Sequence, residues 1–217
     1  MAIKRRQPQG IDRPAALTVW RAATLALLVL MLTSCAWNTQ PDAEDGTWVA
    51  ERERIFEEVG QWRVHGRLGI SNGKDGGSAG FVIHDNSDGQ LRLNLSATGG
   101  RWRLLAGPDG AELEGSKVPL RRAPEPEPLV QEALGWYLPV TLMRDWLRGI
   151  PAPAGAALSF SENGALAALD HADWHIEYQR FREVDGVWLP QKVVARSGPY
   201  KVSVVVLGWR LGEDDKA

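Results

Sequence analysis

The sequence predicts a mainly β protein: one antiparallel sheet curling toward a barrel, with short helices covering its open side. Three observations lead there. Short segments that alternate apolar and polar side chains recur at near-even spacing, each bounded by turn residues. The series is interrupted once, by a proline-rich stretch and two short amphipathic segments, which have to lay their apolar faces on the sheet. No internal repeat or second domain is visible, and the only cysteine among the 217 residues, Cys35, leaves no disulfide to staple a different architecture.

The chain opens with basic residues (Lys4, Arg5, Arg6, Arg13, Arg21), an apolar run over 22–32, and then Leu32-Thr33-Ser34-Cys35. These are the parts of a secretory signal peptide, residues 1–34, ending at a lipid-attachment cysteine. The expected processing is export, diacylation of the Cys35 sulfur, cleavage after Ser34 and acylation of the new amine. The product is an N-palmitoyl, S-diacylglycerol cysteine, and a thiolate is the side chain that attacks readily enough to form it. An uncleaved membrane helix would need ~20 apolar residues. Arg21 on one side, and Pro41, Asp42, Glu44 and Asp45 on the other, deny it that length.

Of 25 basic and 27 acidic side chains, residues 1–34 hold five and one, so the mature part carries 20 against 26. That acidic balance argues against nucleic acid as a partner and suits a partner with a basic face. Tryptophan is abundant, and nine of the ten remain after Trp20 is lost with the signal. Its apolar face and single N–H donor serve cores, cavity walls and membrane interfaces alike.

Residues 35–47 read as a flexible tether, able to hold the domain on the order of 20 Å from its lipid. The domain itself spans 48–217. Trp48, Arg52, Ile55, Phe56 and Val59 stand at helical spacing, with Glu51, Glu53, Glu57 and Glu58 outward and Gly60 as the stop. Residues 62–70 alternate as a strand with one buried face. A polar turn at 71–78, a return at 79–84, a tight turn at 85–89, and a strand on Leu91, Leu93 and Leu95 follow. After Gly99-Gly100, Trp102 and Leu104 alternate with Arg101 and Arg103, and Pro108-Asp109-Gly110 leads to a strand over 111–115.

Ala123-Pro124-Glu125-Pro126-Glu127-Pro128 is expected to stay out of the sheet, since proline lacks the ladder donor. Glu125 and Glu127 there are expected to be simply solvated. A short helix on Leu129, Val130, Ala133 and Leu134 ends at Gly135. A second, over 139–148, carries Val140, Met143, Trp146 and Leu147 on one stripe and ends at Gly149. Strands resume over 157–161 and 165–169, joined at Asn163-Gly164. They continue at Trp174, Ile176 and Tyr178, and over 188–195 after Asp185-Gly186. A last strand spans 200–210, with Val202, Val204 and Val206 on one face and Val205 and Leu207 on the other. Apolar on both sides, it is expected to be buried on both.

Catalytic signals are missing. Gly76-Gly77-Ser78-Ala79-Gly80 spells Gly-x-Ser-x-Gly, but it falls where a polar turn leads into a strand, not on the strand-to-helix elbow that exposes a nucleophilic serine, and residues 73–80 lack the lysine and hydroxyl order of a phosphate loop. His171 and His175, taken as one strand, stand more than ~12 Å apart, too far to share an ion. No enzyme, cofactor or metal is expected.

Three stretches resemble the LolB family of outer-membrane lipoprotein receptors of Gram-negative bacteria. One is Trp62-Arg63-Val64-His65-Gly66-Arg67-Leu68-Gly69-Ile70. Another is Leu134-Gly135 with residues 139–142 and Arg144-Asp145-Trp146-Leu147-Arg148-Gly149-Ile150-Pro151, the most specific. The third is 174–178, Leu189-Pro190 and a closing strand ending in Trp209. The resemblance implies an incomplete antiparallel β-barrel whose apolar cavity holds acyl chains. It implies a monomer, anchored on the periplasmic side of the outer membrane, that accepts lipoproteins from the soluble carrier LolA and places them in the inner leaflet. Ala36 after the cysteine fits outer-membrane delivery. Trp62, Leu68, Leu91, Leu93, Leu134, Met143, Trp146 and Leu147 are the expected cavity residues. The family's membrane-insertion loop falls at Thr98, Gly99 and Gly100, where Gly99 stands in place of an apolar tip; Trp102 could serve at an interface instead, or belong to the core. The alternative for the whole chain is an anchored structural lipoprotein with a filled barrel.

Overall fold

The computed structural model describes residues 45–212 apart from 87, 152–155, 163 and 172. Cys35, the signal segment, most of the tether and Asn163 lie outside the described residues. Helix α1 (Asp45–Val59) begins the domain. Strands β1 (Trp62–Ser71), β2 (Gly76–Asp85), β3 (Leu91–Ala97), β4 (Gly100–Gly107), β5 (Gly110–Gly115) and β6 (Val118–Ala123) follow as a meander. Helices α2 (Pro126–Leu134) and α3 (Val140–Arg148) interrupt it. Strands β7 (Ala157–Phe160), β8 (Leu166–His171), β9 (Trp174–Val184), β10 (Val187–Ser197) and β11 (Tyr200–Leu211) complete it. All eleven form one sheet in the order β6-β5-β4-β3-β2-β1-β11-β10-β9-β8-β7, every pair antiparallel. The last strand returns to the first, and the helical segment runs between the two edge strands β6 and β7.

Alternation sets the layers. Trp62, Val64, Leu68 and Ile70 of β1, Phe81 and Ile83 of β2, and Leu91, Leu93 and Leu95 of β3 are buried. They join Leu104, Leu113, Ile176, Val193 and Val204 in one apolar cluster. Met143, Trp146 and Leu147 of α3 belong to the same cluster, so the helices lie on this inner side. α1 closes one end through aromatic contacts: Phe56 on Trp62 at 6.0 Å, Trp62 on Trp209 at 5.4 Å, and Trp48 on Phe160 and Phe181 at 5.8 and 6.1 Å.

Three expectations are corrected. β11 is buried on one side only, because the helices cover the inner face: Val205 and Leu207 are 40% and 56% exposed. β6, rich in arginine and holding Pro119, carries no alternation to announce it, yet it pairs with β5 as an edge, where a proline breaks no ladder. α2 starts at Pro126, within the proline stretch expected to precede a helix on Leu129, because a helix tolerates proline in its first turn.

Gly66 shows why the β1 motif has a glycine. The β1–β11 register shifts between His65 and Gly66, and a Cβ on Gly66 would lie 2.1 Å from the Val205 carbonyl oxygen and 3.0 Å from Phe81. Backbone cannot yield there as a side-chain tip can. Gly66→Ala is expected to cost roughly 2 kcal/mol or more. Gly69→Ala, whose Cβ would meet only the Gly77 carbonyl oxygen at 4.0 Å, is expected to stay within about 1 kcal/mol of the parent. Urea unfolding midpoints of the two variants check the contrast.

Candidate functional site

The inner face of the sheet and the stripe of α3 that covers it form the candidate site. α3 has the spacing to do this: Val140, Met143 and Leu147 fall on one side at i, i+3 and i+7, with Trp146 beside them, and all four are buried. Gly149 ends the helix in the left-handed conformation, donating its N–H toward the Asp145 and Trp146 carbonyls.

Three polar latches tie α3 to its surroundings. Arg144 makes a bidentate pair with Asp85 at the end of β2, Nε to Oδ2 and Nη2 to Oδ1, both at 2.6 Å. The Tyr178 hydroxyl, buried on β9, donates to the Trp146 carbonyl at 3.0 Å, and burial pushes its phenol well above the usual range. Trp48 of α1 donates its indole N–H to the Gly149 carbonyl at 2.9 Å. Arg52 stacks over the Trp48 ring at 4.3 Å and donates to the Trp188 carbonyl. Burial lowers its pKa to about 10. At the other end of α3, Glu127 of α2 accepts the Thr141 N–H at 3.0 Å. The carboxylate expected to be merely solvated is therefore the cap of the next helix.

The sequence placed Trp48, Arg52, Arg144 and Tyr178 in their elements but gave none of these contacts. Asp85 carried the one available signal, since it falls on the inward parity of Phe81 and Ile83, where a carboxylate requires a cation.

The expected cavity residues meet. Trp62, Leu68, Leu91, Leu93, Met143, Trp146 and Leu147 are buried, and Leu134 is half-buried beside them. They pack against one another. Among the described residues, a hollow of about 660 Å³ between the ends of β3–β5 and the start of α3 is walled by one of them, Leu91, beside Val140, Pro126 and Arg144. A second hollow, about 620 Å³, crosses β1 to β6. The Trp146 Nε1–H is buried without an acceptor among the described residues.

Thr98 and Gly99 form a two-residue turn closed by the Ala97–Gly100 pair. Trp102, half-buried, lies against it: a Cβ on Gly99 or Gly100 would be 3.6 Å from the indole. His171 and His175 sit on opposite strands of the β8–β9 hairpin, where His175 Nδ1 lies 2.6 Å from Asp170. The strand spacing assumed for them does not apply. Among the described residues no three His, Cys, Asp or Glu side chains converge to hold a metal ion, and no helix is long and apolar enough to cross a membrane.

This geometry defines a class: a curved antiparallel sheet whose apolar face is closed by helices latched at a few polar points. The family within it is specific. Residues 60–209 match the model of LolB, outer membrane lipoprotein LolB, and the chain belongs to that family. It is 33% identical over 193 residues to outer-membrane lipoprotein LolB of Pseudomonas aeruginosa, covering 85% of this chain and 93% of the relative. To the protein of the same name from Pseudomonas fluorescens it is 32% identical over 189 residues, covering 84% and 92%. Among solved structures it is similar to LolA superfamily protein NE2245 from Nitrosomonas europaea, at 7% identity and a TM-score of 0.49, covering 76% and 94%.

Burial raises the Asp85 carboxyl above its ordinary value even with Arg144 on it. A group raised in this way contributes stability fully present below its unfolded value, and loses it as pH rises through the folded one. Relative to Asp85→Asn, the parent is therefore expected to gain stability as pH falls through that window toward about 4. Denaturant titrations at several pH values check the sign. Asp85→Ala, which leaves Arg144 unpaired and only 29% exposed, is expected to cost about 2–3 kcal/mol. It should also speed hydrogen exchange in α3 more than in β1.

Proposed function

We propose that the chain is an outer-membrane lipoprotein, anchored through Cys35 and facing the periplasm, that receives lipoproteins from a LolA-type carrier. It holds their acyl chains against the inner face of the sheet and releases them into the inner leaflet. The observation that carries this reading is α3: an apolar stripe filling an apolar interior, fastened by few polar contacts.

Magnitudes make the exchange feasible. Displacing Met143, Trp146 and Leu147 costs roughly 6 kcal/mol at ~2 kcal/mol for each buried side chain. The latches add roughly 1 kcal/mol each, with more for the charged pair. One long acyl chain, at about 0.8 kcal/mol per buried CH₂, contributes on the order of 10 kcal/mol. A single chain therefore about balances the opening of α3, and a triacylated cargo exceeds it. Because burial lost in the carrier is regained here, the transfer is nearly isoenergetic and needs no nucleotide. The orphan Trp146 N–H would find its acceptor in an ester or amide carbonyl of the cargo.

Trp62, Leu68, Leu91, Leu93, Leu134, Met143, Trp146 and Leu147 are the proposed acyl-contacting residues. Thr98, Gly99 and Gly100 form the proposed insertion turn. The close packing of the interior equally suits the second reading, a structural lipoprotein with a filled barrel, and one experiment separates them. A photo-crosslinking residue at position 146 is expected to capture lipoprotein cargo presented by a carrier complex. Capture of nothing but neighbouring segments of the same chain would favour the structural reading. For the insertion turn, Gly99→Leu is expected to fold normally, since Gly99 has no positive φ and its Cβ would make ordinary contact with Trp102. Release of cargo into vesicles should be faster than in the parent; an unchanged rate would remove the turn from the insertion step.

A further inference from the structure

The outer wall of the sheet carries a charge opposite to that of the mature chain. β11, β1, β2, β3 and β4 are consecutive neighbours. Together they present Lys201 and Arg210, Arg63 and Arg67, Arg92, and Arg101 and Arg103, with His65 and His84. Their one carboxylate, Asp85, is turned inward to Arg144. Seven permanent cations thus share five adjacent strands with no outward acid. Arg103 pairs with Glu114 of β5 at 3.2 Å, whereas Arg67, Arg92 and Arg101 have no ion-pair partner among the described residues.

The cations are stacked in register. Arg210, Arg63, His84 and Arg92 stand opposite one another across four strands. Of the basic residues on this wall, Arg67, Arg92 and Arg101 leave the outer face with cationic groups that an anionic surface can neutralise. Between the cations lie exposed aliphatic side chains: Leu105 at 36%, Val205 at 40% and Leu207 at 56%.

We propose that this wall is a docking face for the anionic phospholipid surface of the bilayer. The mixture favours lipid over an acidic protein. Cations spread across five strands with aliphatic groups among them match a fluid surface that brings a phosphate to each arginine and admits the aliphatic groups beneath the headgroups. A protein would have to match every position with a fixed carboxylate. Each basic residue near an anionic bilayer strengthens binding about fivefold. The weak affinity this provides suffices for a domain tethered beside the membrane. Docked through the wall, the domain turns α2 and α3 away from the bilayer, toward the aqueous side from which cargo arrives. This orientation rests on the receptor reading above; the docking itself does not.

The test uses the mature chain carrying Cys35→Ala, whose apolar cluster among the described residues runs from Trp48 to Leu211. Flotation with vesicles of phosphatidylcholine alone, and of an equimolar mixture with phosphatidylglycerol, measures binding. Binding is expected only to the mixture, and raised salt should weaken it. The triple variant Arg67→Glu, Arg92→Glu, Arg101→Glu should lose on the order of a hundredfold while keeping its circular dichroism, thermal midpoint and acceptance of cargo in the absence of vesicles. Equal binding to both vesicle types, no binding, or parent-like binding by the variant would each overturn the proposal. So would a variant that keeps vesicle binding but no longer takes cargo from a carrier, which would make the wall a protein-docking face. Loss of cargo acceptance in the parent itself would instead sink the receptor reading and leave the vesicle result standing.

Discussion

A curved sheet with one apolar face has to cover that face, and in this chain the cover can come from only a few places. Each strand buries alternate residues, so the inner side from β1 to β11 is a continuous apolar surface. Water excluded from it is the main source of stability. The meander runs out at β6 and starts again at β7, on opposite edges of the sheet. The segment that makes this crossing is the one that lies over the interior. α2 and α3 are therefore connection and cover at once.

The contacts that hold α3 down differ in kind from those that hold the sheet together. Sheet pairing is repetitive and spread over eleven strands, whereas α3 depends on a bidentate ion pair, two hydrogen bonds to carbonyls near its C-terminal end and one capping carboxylate. Asp85 sits where desolvation outweighs the attraction of Arg144, so the pair contributes position more than energy. Trp48 extends the arrangement to α1 by donating its indole N–H to the Gly149 carbonyl at the end of α3. α1, α3 and the interior are thereby in contact through a handful of side chains.

Charge is separated as cleanly as polarity. Acidic residues gather on the outward faces of α1 and α2, with Glu112 and Glu114 on β5 already paired to arginines. The outer wall from β11 to β4 is left basic. A net charge computed from the whole mature chain points to a basic partner, and the folded surface contains a face of the opposite preference. Summation over the sequence conceals this, because adjacent strands in the sheet, such as β1 and β11, lie far apart along the chain.

The sequence by itself determined the alternation, the turns, the two covering helices with their glycine stops, and the inward identity of Leu68, Leu91, Leu93, Met143, Trp146 and Leu147. All of these are periodic or local signals, written within ten residues of where they act. It also contained the motifs that mark the family. Where local signals were absent, expectation and structure part. β6 is an exposed edge with no buried face to give it a period. β11 is apolar on both sides, yet its outer Val205 and Leu207 are exposed, and periodicity cannot distinguish that from burial. Only the tertiary structure decided that Asp85 meets Arg144 across 59 positions, that Glu127 caps α3, that Gly66 has no room for a methyl group, and that seven cations line up on one wall. Each of these depends on which strand lies beside which, and the pairing of β1 with β11 that sets the order is made between the two ends of the domain.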